Sequence, residues 1–156
     1  MRRDSSERVD IVRPDATTLS AWAQLRLALW PREAFDELRQ EAEDYLSAGE
    51  LDGRTHGVFL AIDHGAPIGM IEVGLAGSPE ERRAHIEAWF VEPSARRRGV
   101  GTLLMAEAER WARERGCRTL SSDTTPEYPE SPAAHAALGF RARPGEGVAV
   151  LFDKPL

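Results

Sequence analysis

Ile86-Glu87-Ala88-Trp89-Phe90-Val91-Glu92-Pro93, followed closely by Arg96-Arg97-Arg98-Gly99-Val100-Gly101, is the stretch on which the reading of this chain turns. The first part is an apolar run interrupted by one carboxylate and stopped by a proline, the pattern of a buried strand. Beyond the second part, Val100, Leu104, Ala108 and Trp111 recur on one stripe with arginines and glutamates opposite, which predicts a helix from Gly99 to about Arg115. The turn between them offers exposed N–H groups at a helix start, where hydrogen bonds and the helix dipole favour phosphate. Gly99 and Gly101 would let a pyrophosphate approach the backbone without a Cβ in the way, and the flanking arginines would add charge-assisted bonds. No Gly-Lys-Ser/Thr follows, so it is no Walker loop. Leu104 stands where a dinucleotide fingerprint needs its third glycine.

Working outward, Val9 to Arg13 reads as a strand, and Pro14-Asp15 opens a helix with Asp15 as N-cap. Trp22, Leu25 and Leu29 share one face of that helix, which Pro31 stops. A second, acidic helix is expected from about Glu33 to Ser47, then a loop from Gly49 to Gly57. Val58 to Ile62 and Ile68 to Leu75 read as a hairpin turned by His64-Gly65, and Gly77 to Arg83 as an exposed loop. After the Gly99 helix come a short strand, Cys117 to Ser121, and a short helix from Ser131-Pro132 to Gly139. Strands Phe140 to Arg143 and Val148 to Phe152 close the chain. The order β-α-α-β-β-β-α-β-α-β-β gives an α/β fold, one sheet with helices on both faces.

Length and composition bound the answer. The 156 residues, 42% hydrophobic and 29% charged, suffice for one domain with a core of its own. One cysteine can make neither an internal disulfide nor a cysteine metal cluster, so a reducing cytoplasm is the expected setting. No apolar run follows Met1-Arg2-Arg3-Asp4, so no signal peptide is expected. No apolar stretch reaches the ~20 residues of a membrane helix. The formal net charge of −6 is unevenly spread. Glu33, Asp36, Glu37, Glu41, Glu43, Asp44, Glu50 and Asp52 face only Arg39 in their segment, whereas arginines dominate from Arg96 to Arg118. A basic patch for an anionic co-substrate beside an acidic surface for a cationic one would look like this; so would two solvated helix faces. The basic stretch is too short, and the chain too acidic, for a nucleic-acid surface.

Arg96-x-x-Gly99-x-Gly101 resembles the Q/R-x-x-G-x-G/A signature of the GNAT acetyltransferases, with Trp89-Phe90-Val91-Glu92-Pro93 before it and Ala137-Leu138-Gly139-Phe140 at the closing helix–strand turn. The resemblance implies the GNAT fold over a single domain, residues 1–156: α/β, with a mixed, mostly antiparallel central sheet flanked by helices on both faces. It implies acetyl-CoA as co-substrate, held by Phe90, Val91, Arg96, Arg97, Arg98, Gly99, Val100, Gly101 and Thr102, and no metal. Leu29-Trp30-Pro31, Ile86-Glu87-Ala88, Ser122-Asp123-Thr124 and His135-x-Ala137-Leu138-Gly139-Phe140 are similar to one subgroup, the aminoglycoside 6′-N-acetyltransferases. There the resemblance implies that Trp30, Glu87, Asp123 and Glu146 line the aminoglycoside site, that the enzyme confers antibiotic resistance, and that it is a homodimer. Ala88 replaces the subgroup's usual glycine, and the loop Gly77 to Arg83 lacks its usual tyrosine. Another amine, such as a polyamine, an amino acid or a protein N-terminus, stays open as substrate. So does a non-catalytic acetyl-CoA-binding module.

The residues carry chemistry of their own. Glu87 inside an apolar strand either has a buried basic partner, such as Arg83, or points into a pocket. Asp123 is either a site carboxylate or a turn aspartate before Pro126; Trp30 is either core or ligand contact, and Glu146 either site or hairpin. Acetyl transfer needs a neutral amine, so a carboxylate that takes its proton and holds neighbouring ammonium groups suits it. Asp123 and Glu87 are the candidates, with Asp123 preferred. N–H groups of Phe90–Val91 would polarise the thioester carbonyl. His135 stands where many members of the superfamily have a tyrosine and could protonate the thiolate, or simply pack its helix. His56, His64 and His85 have no metal-site spacing and read as surface or loop residues. Cys117 reads as a small buried residue rather than an acetyl carrier, which favours direct transfer in a ternary complex.

Overall fold

The two apolar runs flanking His64-Gly65 pair as the long hairpin at the centre of an eight-stranded sheet. The structure is a computed structural model and describes residues 9–156; the Met1–Asp4 opening lies outside them. The strands are β1 (Asp10–Val12), β2 (Glu50–Leu51), β3 (Arg54–Asp63), β4 (Ala66–Ala76), β5 (Arg83–Val91), β6 (Thr119–Thr124), β7 (Arg141–Pro144) and β8 (Val150–Pro155). The helices are α1 (Leu19–Leu29), α2 (Phe35–Ala48), α3 (Val100–Glu114) and α4 (Ser131–Ala137). The sheet runs β1-β3-β4-β5-β6-β8-β7, with β2 paired onto β3. Among the described residues only the β5–β6 pairing is parallel, as the mixed, mostly antiparallel expectation requires.

Several boundaries differ from the sequence reading; β5 already starts at Arg83, β7 at Arg141, and β8 runs on to Pro155. Asp15 does not cap α1: its carboxylate accepts from the Thr17 and Thr18 N–H groups in a turn of its own, and the helix starts at Leu19. The Gly49–Gly57 loop is instead a tight hairpin, because Asp52 (φ 52) and Gly53 (φ 72) form an Asp-Gly turn between β2 and β3. Cys117 lies just before β6, not in it. β6 itself runs through Asp123, which is therefore a strand residue, because its backbone pairs with Leu151 of β8 whatever its side chain.

Each face of the sheet buries a separate core. α3 covers one face, where Val100, Leu104, Met105, Ala108 and Trp111 meet Phe59, Ile71, Val73, Ala84, Ile86 and Leu120. α1 and α2 cover the other, where Trp22, Leu25 and Tyr45 meet Val58, Leu60, Met70 and Ala88. β5 contributes to both out of phase. Ala84 and Ile86 face α3, as do Trp89 and Val91, whereas Ala88 and Phe90 face α1 and α2. Strict alternation would keep 84, 86, 88 and 90 together. The register explains the switch: Val73 pairs with Ile86 but Glu72 with Ala88, so Glu87 is the extra residue of a β-bulge.

One ion pair fixes α1 to the sheet. Glu72 of β4, 1% exposed, accepts from Arg26 Nε (2.9 Å) and Trp22 Nε1 (3.0 Å). Arg26, equally sequestered, also donates to Leu38 O and Glu41 Oε1 on α2. A buried ion pair gives little net stability against apolar replacements, but removing one partner strands the other. Arg26→Met should therefore cost about 3–5 kcal/mol of unfolding free energy in urea titrations, with much of the loss recovered in the Arg26→Met/Glu72→Met double variant. A single variant as stable as wild type would remove this pair from the account of the fold.

Candidate active site

β5 and β6 pair only at Ala84↔Leu120 and His85↔Ser121 and then diverge, at the point where the bulge bends β5. The divergence leaves one edge of Trp89–Val91 without a neighbouring strand. The Glu92 N–H bonds back to Ile68 O on β4. Strand alternation therefore turns the Phe90 N–H toward β4 and the Val91 N–H toward the gap. Arg96 Nε donates to Val91 O at 2.9 Å, so the carbonyl on that side is occupied and the N–H stays available. Of the two candidate thioester donors, only Val91 has the right orientation.

The α3 N-terminus follows. Leu103 N bonds to Gly99 O, so the N–H groups of Val100, Gly101 and Thr102 precede the first intrahelical bond and point outward. Gly99, the residue before the helix, has φ 77, and a Cβ there would meet nothing within 4 Å, so the turn has open space beside it. This arrangement fits a pyrophosphate. Gly101 has another reason to be glycine: its Cβ would press on the Trp89 ring at 3.3 Å, and its carbonyl accepts from Trp89 Nε1. Val100 points into the core and can offer only its N–H, whereas Thr102 is exposed. The three arginines divide their work. Arg96 holds Val91 O, Arg98 Nη1 pairs with Asp63 Oδ2 of β3 at 3.1 Å, and Arg97, at φ 65, makes no ion pair among the described residues.

On the α1/α2 side of the sheet those helices cover β3, β4 and the far end of β5, and a polar strip continues beside them. His56, Gly74, His85 and Ser121 stand in one row across β3 to β6. Alternation from His85 puts Glu87 on this face too, where it pairs with Arg54 of β3 rather than with Arg83, one of the partners the sequence offered. Asp123 Oδ2 lies 3.1 Å from His85 Nε2, and His85 Nδ1 lies 2.8 Å from Ser121 Oγ. Trp30 ends α1 beneath the Arg26 guanidinium, and Tyr128 donates to Leu29 O, tying the segment after β6 to the same helix end. Glu146 is exposed at the tip of the β7–β8 hairpin, beyond the end of β6 where Asp123 stands, without a side-chain partner among the described residues. Glu87 and Asp123 thus share one open face, while Trp30 and Glu146 flank it at a distance.

The histidines depart from expectation. His56 is buried, its ring lying over Gly74, where a Cβ would come within 2.7 Å of it, and His85 faces Asp123; only His64 is an exposed turn residue. His135 is 2% exposed and stacks on Phe152 at 4.0 Å. Its Nδ1 donates to Ser131 O and its Nε2 accepts from Ser122 Oγ, both at 2.8 Å. Burial, the dominant effect, pushes it toward the neutral form. Of its two readings the structure fits the packing one, because both nitrogens are engaged. Cys117 is buried, which raises its thiol pKa and works against a nucleophile. The acidic segment is the outer face of α2, where Arg39 meets Glu43 and Gln40 meets Asp44 in solvated pairs. His85, Ser121 and Arg54 are the residues the sequence reading left out. The Asp-Gly turn that starts β3 at Arg54 was the available signal for one of them. Among the described residues no group of side chains has the makings of a metal site.

The hydrogen bond from His85 is the main cause holding the Asp123 carboxyl below its ordinary range; burial opposes it, and the His85 charge adds to it. A depressed carboxylate stabilises the fold above its unfolded pKa, and the gain is lost as pH falls through the lower, folded value. In His85→Phe the Asp123 midpoint should rise, as read by carboxyl ¹³C titration. An unchanged midpoint would mean that the bond does not form in solution.

The sequence profile described as Acetyltransferase (GNAT) family matches residues 18–140. An aminoglycoside N(6′)-acetyltransferase type 1 of Klebsiella aerogenes is 40% identical over 136 residues, 83% of this chain and 88% of that protein. Another, from Stenotrophomonas maltophilia, is 39% identical over 127 residues, 78% of each. The solved structure of AAC(6′)-Iy in complex with the bisubstrate analogue CoA-S-monomethyl-acetylneamine superposes with a TM-score of 0.74 at 34% identity, over 85% of this chain and 90% of that one.

Proposed function

The chain belongs to the GNAT acetyltransferase family, and from that premise we propose that it acetylates the 6′-amine of aminoglycoside antibiotics with acetyl-CoA as donor, and so confers resistance. The observation that carries this reading is the shared open face of Glu87 and Asp123, beside the β5–β6 gap and the α3 N-terminus. Two carboxylates on one face of the sheet beside a thioester site suit a substrate with several ammonium groups. The aminoglycoside relatives, at up to 40% identity over most of the chain, support that class over a simple amine.

Acetyl-CoA, when bound, supplies the thioester carbonyl that the amine attacks. The N–H groups of Val100, Gly101 and Thr102, with the exposed Arg97, hold its pyrophosphate. The Val91 N–H polarises the carbonyl. Asp123 has its Oδ2 engaged by His85, which leaves Oδ1 to anchor an ammonium group. Held well ionised, it is a better anchor than base, so proton removal through water, with Glu87 as the second carboxylate, completes the scheme. Trp30 and Glu146 bound the substrate on either side. Transfer is direct, in a ternary complex, which the inert setting of Cys117 supports. The whole chain acts as one domain. A homodimer is supported by the open edge of β7 and by Val148, 71% exposed on the hairpin beside it. A lone buried cysteine supports the cytoplasm.

Thiol release from acetyl-CoA tests the reading directly, with kanamycin, a kanamycin analogue lacking the 6′-amine, and spermidine offered in turn. Release with kanamycin alone is expected. Release with spermidine alone would move the enzyme to polyamines. Asp123→Asn and Glu87→Gln should each lower turnover about 10²-fold while acetyl-CoA still binds. Both variants working at wild-type rate would remove these carboxylates from the mechanism.

A further inference from the structure

The Ser121–His85–Asp123 chain is built so that its ring can carry one proton or two. A carboxylate only accepts, so the proton facing Asp123 Oδ2 sits on His85 Nε2. The other nitrogen, Nδ1, faces Ser121 Oγ at 2.8 Å, and that hydroxyl also lies 3.3 Å from Ala84 O. With one proton on the ring, the hydroxyl donates to Nδ1. With two, the hydroxyl turns to Ala84 O and accepts from Nδ1–H. Rotation of a single hydroxyl hydrogen therefore serves both charge states, and no heavy atom moves. The ring is 22% exposed and the Asp123 side chain 58%, so solvent and a ligand can reach the pair.

We propose that His85 determines the affinity of this site for polycations by setting the net charge of the Asp123 subsite. The proposal rests on the reading of the site as one for a polycationic amine. With His85 neutral, the pair carries one negative charge and attracts an ammonium group. With His85 protonated, the pair is neutral and the attraction is lost. The other charged groups around the ring do not substitute for it. On β5 itself, Glu87 is paired with Arg54; across Gly74 of β4 lies the His56 ring; from β6 Ser121 and Asp123 face the imidazole; and His135 of α4, which also acts on Asp123, is buried and pushed toward its neutral form. An imidazole is the side chain that ordinarily changes charge between about pH 5 and pH 8. Affinity for the cation therefore falls with falling pH, the opposite of the trend from protonation of the amine, which makes the substrate more cationic.

Calorimetric titration of kanamycin and of spermidine, from about pH 8 to about pH 5, tests this in wild type and in His85→Gln, whose amide can keep both hydrogen bonds without a charge. Wild-type affinity should fall about tenfold, and that of His85→Gln should stay within about twofold. Equal slopes in the two proteins overturn the proposal. If kanamycin is neither bound nor acetylated, the aminoglycoside reading fails; a steep spermidine profile in wild type that flattens in His85→Gln still upholds the role of His85. No binding of either polycation overturns both. Should His85→Gln not fold, ring ¹⁵N shifts of the wild-type protein decide: the neutral form must carry its proton on Nε2, and a proton on Nδ1 instead sinks the proposal.

Discussion

A single extra residue in β5 organises both the core and the site. A strand shows alternate side chains to opposite faces, so inserting one residue against an unbroken partner reverses everything beyond it. Before Glu87, β5 supplies Ala84 and Ile86 to the α3 core; beyond it, Ala88 and Phe90 go to the α1/α2 core while Trp89 and Val91 turn to α3. The same insertion bends β5 where its pairing with β6 stops after His85. A carboxylate that would be costly in a buried strand becomes tolerable because the bulged residue faces the open strip and meets Arg54. The reversed phase of Ala88 to Val91 follows from that one insertion, and the gap beside Trp89–Val91 opens where it bends the strand.

The bulge needs a firm partner strand, and the Arg26–Glu72 pair supplies it. Glu72 is the β4 residue opposite Ala88, directly at the irregularity, and its carboxylate is held by Trp22 and Arg26 of α1. Arg26 in turn reaches α2 and lies over the Trp30 ring. The helix that ends at the site is thereby fixed by charge-assisted bonds to the strand position that faces the bulge. Apolar packing alone would hold α1 against the sheet without fixing its register so narrowly.

Much of the fold was legible because its signals are local. The α3 stripe of Val100, Leu104, Ala108 and Trp111 is buried as its spacing predicts, and the apolar runs around His64-Gly65 form the central hairpin. What escaped was set by pairing rather than by side chains. Arg54 to Gly57 joins β3 through the Asp52-Gly53 turn although Thr55 and His56 are not apolar, and Asp123 is a strand residue because β8 runs alongside it. The bulge was invisible for the same reason: an apolar run such as Ile86 to Val91 looks equally good in either phase, and only the opposing strand reveals which residue is surplus.

The candidate site divides along the same line. Glu87, Asp123 and the turn before α3 stood out because each is chemically conspicuous: two carboxylates at a sheet, and a Gly-x-Gly pair after arginines. His85 did not, because its importance lies in neighbours some 36 and 38 positions away on β6. A histidine beside a carboxylate also changes what that carboxylate can do. Asp123, kept ionised by its donor, is a poor proton acceptor at neutral pH and a good anchor for a cation. Substrate binding and proton removal thus place opposite demands on one side chain, and Glu87, engaged by Arg54, shares the anchoring of a cation rather than offering a freer base. Two acidic groups on this face of the sheet therefore suit a substrate with more than one ammonium group, its proton leaving through water.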